Sequence, residues 1–429
     1  MRGLTVRPSS AVDGKLQRAH VFRRGVGVHG NTKPPLKEFS VETIHSYTTM
    51  KSSSLTTLAT SVALAIAQPP IVREDKRAFA VLDPHGPFRN GSQLFEPTPN
   101  VNLTPPYFQV FDDRFDDILG PNPTIRVIVE NDTFAFAHEA PMWIEATDEV
   151  FFNGGRTVGR PVSVINLNDL KTSTTGLINF TIVPLSDDIQ INNGGTLFRG
   201  DLLLVTTGNG TLPPSLVRVN PQPPFNDTII LNNFYGRQFN ALNDAKVHPQ
   251  SRAIFFTDVT YGFENGFRPA PLIPNQVYRF DADTGEVRVV ADGFTQPNGI
   301  AFSPDGSTAY IADSGEAEGV LGGVDPTLPA TIYAFDLMPD TQAFINRRVF
   351  AFIDSGVPDG LALDTNGNLY VGCGDGTEVF DPKGTLLGKV FLGVGSANMV
   401  FAGARRLVIM ADTKIYLAEI AAEGANLNL

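Results

Sequence analysis

The sequence predicts an all-β fold, a six-bladed β-propeller built around a central channel. Three stretches indicate this fold because they are versions of one hairpin: residues 296–314, 357–376 and 242–258. Each one opens near an Asn or Asp, enters an apolar strand, turns at polar or glycine residues and returns as a second strand. Four-strand units that recur every 40–60 residues or so are typical of propeller blades.

Six such units follow one another from residue 139 onwards. They open with the sequences EAPMW, GGTLF, LNDAKV, PNGIAF, PDGLAL and ANMVF. The sixth unit has only three strands, so the strand at 124–129 is predicted to add the fourth and close the ring. No helical run of convincing length occurs after residue 105, and the propeller domain is therefore predicted to span 106–429. The main alternative, a pair of β-sandwiches, does not explain why the units share one opening hairpin.

The region before the propeller divides into three parts. Residues 1–49 are basic and lack any apolar period, and they are predicted to be a non-native or disordered extension. Residues 50–67 have the pattern of a signal peptide, with Lys51, a short apolar run and a small-residue cleavage site. The alternative is a genuine N-terminal extension with an apolar patch. Residues 68–105 form a Pro-rich arm, either ordered on the surface or a flexible lead-in.

Composition excludes several classes of partner and predicts a secreted protein. The formal net charge of −12 argues against nucleic acid and anionic membrane surfaces as partners. The apolar run near residue 60 is too short to span a bilayer.

Cys373 is the only cysteine, so no intrachain disulfide can form, and it is predicted to be a core residue rather than a nucleophile. Glycosylation is predicted at six N-x-S/T sequons, whose asparagines are Asn90, Asn102, Asn131, Asn179, Asn209 and Asn226.

The residues that open the units are candidate metal ligands. In a propeller the innermost strands start at the axis, so Glu139, Asn243, Asn298 and Asp359 are expected to converge, with Asn398 close to the start of unit six. Carboxylate and amide oxygens suit Ca²⁺, with Mg²⁺, Mn²⁺ or Zn²⁺ as substitutes. Asn-Gly and Asp-Gly pairs are also ordinary turn formers, and only their shared register favours a site.

These motifs resemble the gluconolactonase (senescence-marker-protein-like) family of six-bladed propellers. The motifs EAPMW, LNDAKV, QPNGIAFSPDG and VPDGLALDTNGNLYVG carry the resemblance, and several others are similar to fungal lactonohydrolases that open aldonate lactones and pantolactone. The similarity covers roughly residues 108–417. It implies an axial metal site with Glu139, Asn243, Asn298 and Asp359 as ligands. Some members carry an Arg two residues before the Asn-Asp pair, and here Ala241 replaces it.

The function that the resemblance implies is Ca²⁺-dependent hydrolysis of a small lactone of the aldonate or pantoyl type. Asp359 is the first choice for the general base and His138 the second, while Tyr261 and Asn398 are candidate substrate contacts. No G-x-S-x-G nucleophile motif occurs, so a serine esterase is unsupported. Two alternatives stay open: a paraoxonase-like or strictosidine-synthase-like propeller enzyme, and a non-catalytic extracellular binding module with a structural cation.

Overall fold

The repeated hairpins form the two innermost strands of successive β-sheets. A computed structural model describes residues 69–82, 84–85, 88–89, 103–155, 160–317, 319 and 323–425. Within these residues 26 strands fall into six sheets, so the chain folds as the six-bladed β-propeller that the sequence predicts. The predicted extension at 1–49, the predicted signal peptide at 50–67 and the sequons at Asn90 and Asn102 lie outside the described residues.

Each blade contains consecutive antiparallel strands. Three strands precede the first blade, namely β1 Ile71–Arg73, β2 Tyr107–Val110 and β3 Thr124–Glu130. Blade one has β4 Glu139–Ile144, β5 Glu149–Asn153, β6 Val162–Asn166 and β7 Thr181–Ile182. Blade two has β8 Asn192–Phe198, β9 Asp201–Thr206, β10 Leu216–Val219 and β11 Asp227–Leu231. Blade three has β12 Leu242–Val247, β13 Ile254–Asp258, β14 Gln276–Phe280 and β15 Val287–Ala291.

The remaining blades follow the same plan. Blade four has β16 Pro297–Phe302, β17 Thr308–Asp313, β18 Thr331–Leu337 and β19 Phe344–Phe352. Blade five has β20 Leu361–Leu363, β21 Leu369–Cys373, β22 Gly376–Phe380 and β23 Leu386–Phe391, and blade six has β24 Asn398–Phe401, β25 Arg406–Ala411 and β26 Lys414–Glu419. The described helices are short: α1 Phe115–Leu119, α2 Tyr261–Glu264 and the 3₁₀ turns Lys76–Phe79 and Leu167–Lys171. None of these helices is long and apolar enough to cross a membrane.

Strands from the region before blade one extend two of the sheets. β3 pairs antiparallel with β26, with Thr124 opposite Glu419, and is the fourth strand of the blade six sheet. β2 pairs antiparallel with β23, and β1 pairs parallel with β2, so the sheet of blade five has six strands. Around the channel the first strand of each blade packs against the first strand of the next, and β24 packs against β4, so the inner strands form a complete ring.

Local turn chemistry explains why the hairpins form. Between β16 and β17, one carboxylate oxygen of Asp305 accepts from the Ser303 hydroxyl at 2.6 Å and from the Ser307 amide at 3.1 Å. Gly306 takes a φ of 69°, which a glycine adopts without steric cost. The turn therefore fixes the register of the hairpin from residues that are neighbours in sequence.

Aromatic side chains fill the space between neighbouring blades. Phe255 of blade three meets Phe302 of blade four edge to face, with ring centroids 5.0 Å apart. Phe344, on the outer strand of blade four, stacks on Phe255 at 5.6 Å. Each fully buried Phe contributes about 1.5–3 kcal/mol to stability. Because no disulfide is available, this packing between blades holds the ring together.

β-bulges at the start of the inner strands aim polar side chains at the channel. In blades one to four the pairing with the second strand shifts register after Glu139, Asn192, Leu242 and Pro297. A bulge bends its strand and redirects side chains. The residue after the shift is an asparagine in three of these blades: Asn193, Asn243 and Asn298. The next residue in blade four, Gly299, lies so close to blade five that a Cβ there would meet the Asp359 carbonyl oxygen at 2.1 Å.

Candidate functional site

The predicted ligands meet in one cavity at one end of the channel, here called the channel cavity. Its volume is about 140 Å³. The polar and charged residues that line it are His138, Glu139, Arg160, Asn193, Thr207, Asn243, Tyr261, Asn265, Asn298 and Asp359. Ala241, Leu242, Val259, Phe267, Ala317 and Val357 add an apolar part to the wall. Five of the six blades contribute to this cavity.

Two acidic side chains face each other in the cavity, and we call Glu139 and Asp359 the carboxylate pair. Ligand atoms of His138, Glu139 and Asp359 all lie within 4.8 Å of one another. Burial raises the pKa of Glu139 well above its ordinary value, and the negative charge of Asp359 raises it further. Burial likewise raises the pKa of Asp359 to about 6, although hydrogen bonds to Glu139 and Asn298 act in the opposite direction. Two adjacent buried acids resist full ionisation unless a cation neutralises them.

Two amide side chains complete the oxygen donors. Asn243 is 4% exposed, and its side-chain oxygen accepts no hydrogen bond from any residue that the structure describes. The amide nitrogen of Asn298 donates to the Ser314 hydroxyl at 3.1 Å, which fixes the orientation of the amide. Ser314 in turn donates to the Pro358 carbonyl at 2.6 Å, beside Asp359.

This donor set fits a hard divalent cation. A buried amide oxygen without a partner is costly, and two neighbouring buried carboxylates repel each other once both are ionised. A cation among them would relieve both costs at the same point. All four donors are oxygen atoms, which is the chemistry that Ca²⁺ prefers. Glu139, Asn243, Asn298 and Asp359 are the residues that could hold such an ion, and their role as ligands stays a prediction.

The other predicted site residues lie at or directly behind the cavity wall. One ring nitrogen of His138, Nδ1, lies 2.8 Å from a carboxylate oxygen of Asp412 in blade six. Tyr261 begins α2 and lines the cavity. Burial is the main reason that the pKa of its hydroxyl lies far above the ordinary value, so this group stays protonated. Asn398 is 1% exposed and does not line the cavity; its amide donates to Glu139 at 2.7 Å. A substrate contact of Asn398 stays a prediction.

Cys373 and the described sequons lie away from the cavity lining. Cys373 is 3% exposed on β21, and burial raises the pKa of its thiol well above the ordinary value. Such a thiol is a poor nucleophile because it is the thiolate that reacts. Three of the predicted glycosylation sites are exposed, namely Asn179, Asn209 and Asn226, and Asn131 is half-buried.

Several residues of the site were not singled out in the sequence. Asn193 sits at the bulge of β8, the same step as Asn243 and Asn298, and the Asn-Asn-Gly-Gly run of unit two was the signal that could have identified it. Arg160 and Ser314 belong to loops between strands, where sequence spacing carries no such signal. Asp412 contacts His138 across 274 residues of chain, so only the folded ring brings them together.

Comparison with known proteins identifies a family of lactone-hydrolysing relatives and solved structures with a similar fold. The family model "SMP-30/Gluconolactonase/LRE-like region" matches residues 198–412. Lactonohydrolase oryL of Aspergillus oryzae is 32% identical over 330 residues, which cover 71% of each chain. A gluconolactonase structure from Xanthomonas campestris superposes with a TM-score of 0.58 at 25% identity, covering 73% of this chain and 94% of the other.

A third comparison concerns the fold alone. The structure of regucalcin, a calcium-binding protein from Agrobacterium tumefaciens, superposes with a TM-score of 0.51 at 16% identity and covers 70% of this chain and 96% of the other. The curated relatives include lactonohydrolases and gluconolactonases, which are carboxylic-ester hydrolases. With its six blades, its cavity of converging oxygen donors and these matches, the chain belongs to the SMP-30/gluconolactonase/LRE-like family.

Proposed function

We propose that this protein is a divalent-cation-dependent lactonohydrolase that opens the intramolecular ester of a small lactone, of the aldonate or pantoyl type. One observation carries the proposal. In a chain whose relatives are named lactonohydrolases, the carboxylate pair shares the channel cavity with the Asn243 oxygen, which accepts no hydrogen bond from the described residues.

The residues of the site have two kinds of role: some would bind the cation, and others would contact the substrate or the attacking water. Bound by Glu139, Asn243, Asn298 and Asp359, Ca²⁺ would polarise the lactone carbonyl and make a nearby water more acidic. Asn398 keeps Glu139 in place through its 2.7 Å hydrogen bond, and Ser314 does the same for Asn298 at 3.1 Å. The Tyr261 hydroxyl remains protonated, makes a hydrogen bond with Ser314 and lies at the wall of the cavity, where it is the candidate substrate contact.

Water supplies the atom that opens the ring. Its oxygen bonds to the carbonyl carbon, the bond from that carbon to the ring oxygen breaks, and the ring oxygen takes up a proton to become a hydroxyl. Asp359 is the first candidate to accept the water proton because it faces the other ligands. His138 is the second candidate, since the contact of its Nδ1 with Asp412 would leave Nε2 to act as the acceptor.

The proposal extends to the surroundings of the site. We propose that β3 closes the ring of blades as their last outer strand, a role supported by its pairing with β26.

We also propose that the protein is secreted after cleavage of residues 50–67 and is glycosylated. The exposure of Asn179, Asn209 and Asn226 supports this, and a mass decrease on treatment with an N-glycosidase tests it.

Proton release from a panel of γ- and δ-lactones, measured with and without a chelator, tests the proposed function. We expect hydrolysis that EDTA abolishes and Ca²⁺ restores, and a loss of most activity in both Asp359→Asn and Asn298→Asp. Absence of metal-dependent hydrolysis of every lactone would support a binding module with a structural cation. Faster turnover of aryl esters than of lactones would support a paraoxonase-like enzyme instead.

A further inference from the structure

We infer that Asp244, a buried residue behind the channel cavity, sets the affinity of the proposed cation site by bracing two of its ligands and by adding a negative charge. This inference rests on the proposed function and adds a positioning residue to it. Asp244 follows Asn243 directly in β12, but it does not belong to the residues that line the channel cavity. It is 1% exposed, so it acts on the site through its neighbours.

The Asp244 carboxylate links three blades at their bulges. Beyond the bulges, pairing with the second strand resumes at Gly195, Ala245 and Ile300 in blades two, three and four. Oδ1 of Asp244 accepts from the Ala245 amide at 2.8 Å, and Oδ2 accepts from the Ile300 amide at 3.2 Å. The Gly195 amide also stabilises the charge of this carboxylate. One side chain is therefore tied to the equivalent amide of three bulges.

Two of these bulges carry candidate ligands. Asn243 directly precedes Asp244, and Asn298 lies two residues before Ile300. The buried Thr257 hydroxyl adds a second link, because it accepts from the Asp244 amide at 3.0 Å and donates to the Asn298 carbonyl at 2.9 Å. A displacement of Asp244 would therefore move the backbone of both amide ligands.

Glycine in the neighbouring blades leaves room for this carboxylate. At the step that Asp244 occupies in blade three, blades two and four have Gly194 and Gly299. A Cβ on Gly194 would lie 2.6 Å from Oδ1 of Asp244, which is closer than the two atoms can approach. The single carboxylate of blade three therefore occupies space that the adjacent blade leaves empty.

The negative charge of Asp244 acts on the carboxylate pair. Burial is the main reason that the pKa values of Glu139 and Asp359 are raised, and the charge of Asp244 raises both further. A charge that opposes the ionisation of two acids attracts a cation bound between them. The ion-pair partner of Asp244 among the described residues is Lys246, whose Nζ lies 3.8 Å from Oδ2. The positive charge of Lys246 opposes the attraction.

Calorimetric titration with CaCl₂ tests the inference without any lactone. Asp244→Asn keeps the size of the side chain but loses its charge and one acceptor, and we expect about 10- to 100-fold weaker Ca²⁺ binding, as for other partners behind metal ligands. Because Coulomb attraction scales with the charge of the cation, a charge effect of about 10-fold on Ca²⁺ becomes about 30-fold on Tb³⁺. Lys246→Met removes the opposing charge and should strengthen Ca²⁺ binding by about threefold.

The matched control is Asp364→Asn in blade five. Asp364 is fully buried, and its Oδ1 accepts from the amides of Asn366 and Asn368, both at 2.9 Å. These contacts stay within one turn and do not link blades. The control should lower the thermal midpoint in EDTA and change Ca²⁺ affinity by less than about threefold. An effect of general destabilisation on affinity would appear in both variants.

Three outcomes would overturn the inference. If Asp244→Asn binds Ca²⁺ within about threefold of the wild type, or loses no more affinity than Asp364→Asn, Asp244 has only a structural role. Equal losses for Ca²⁺ and Tb³⁺ would overturn the part that rests on charge, and so would an unchanged affinity in Lys246→Met. Should Asp244→Asn fail to fold, Lys246→Met still decides, since the Lys246 side chain is 25% exposed and its replacement leaves the bulges intact.

The same titrations keep this inference apart from the proposed function. If the wild type binds Ca²⁺ but hydrolyses no lactone, the proposed function fails and the Ca²⁺ affinities still decide on Asp244. If the wild type binds no Ca²⁺, the proposed cation site is wrong and the inference about Asp244 fails with it.

Discussion

Replacing Asn243 by Leu, a side chain of similar size without polar atoms, should separate cation binding from folding. In the cation-free protein the Asn243 oxygen is buried and accepts no hydrogen bond from the described residues. Such a group costs about 1–3 kcal/mol, so its removal should leave the free energy of unfolding unchanged or raise it by up to about 1 kcal/mol after allowing for imperfect packing. The same change removes one oxygen donor from the proposed site.

Binding of the cation should make the wild-type protein more stable than the Asn243→Leu variant. At a Ca²⁺ concentration 100 times the dissociation constant, a bound ion adds about 2.7 kcal/mol to the free energy of unfolding. A loss of about 100-fold in affinity is expected, since even residues behind the ligands alter affinity by about 10- to 100-fold. At the same Ca²⁺ concentration the variant would then gain only about 0.4 kcal/mol. The variant should therefore be at least as stable as the wild type in EDTA and about 2 kcal/mol less stable in Ca²⁺.

Chemical denaturation in EDTA and in Ca²⁺ measures both values, and calorimetry gives the affinity directly. Asn243→Asp serves as the matched control, because a further carboxylate near Glu139 and Asp359 should destabilise the cation-free protein while Ca²⁺ restores its stability. If Asn243→Leu loses the same stability in both conditions, Asn243 is a structural residue and the reasoning is wrong.

Three further predictions concern the same region. In EDTA the pKa values of the carboxylate pair are raised in the folded protein, so the protonated pair stabilises the fold fully below about pH 4. This stabilisation is lost as the pH rises through the pKa of Asp359, about 6. The loss should be about 3 kcal/mol in denaturation curves at pH 4 and pH 7, and Ca²⁺ should abolish it. Ser314→Ala frees the Asn298 amide, and we expect about 10-fold weaker Ca²⁺ binding by calorimetry and a similar loss of kcat/KM, with unchanged affinity counting against the positioning role. Gly299→Ala should lower the free energy of unfolding by more than about 2 kcal/mol because its Cβ would meet the Asp359 carbonyl, whereas Gly323→Ala, with open space around it, should be neutral.

The fold could be predicted because its information is local. The turn at Asp305 and Gly306 forms from neighbouring residues, and the apolar strands on either side pair within one hairpin. Because this hairpin pattern recurs along the chain, the repeats together predict the propeller more strongly than any single hairpin does. The sequence also indicated that β3 lies beyond the three strands of the last unit, since a unit of three strands needs a fourth.

The candidate ligands could be predicted only as far as their register. Asn243, Asn298 and Asp359 share one step of the repeat, Glu139 stands one residue earlier in blade one, and the structure brings all four to one cavity. Asn193 shares that step with Asn243 and Asn298, although the repeat pattern of unit two begins only at Gly194. The β-bulges that aim these side chains at the channel have no distinct sequence pattern, because a bulge is a property of two paired strands.

The sequence by itself therefore determined the number of blades, the repeated hairpin and the residue types that open each unit. The tertiary structure alone decided which other side chains share the cavity. His138 meets Asp412 across 274 residues, and Arg160 meets Asn193 across 33 and between two blades. Contacts of this kind arise when the ring of inner strands is complete, because residues of different blades then face one axis. Spacing along the chain describes neighbours within a blade, whereas the site is made of neighbours around the ring.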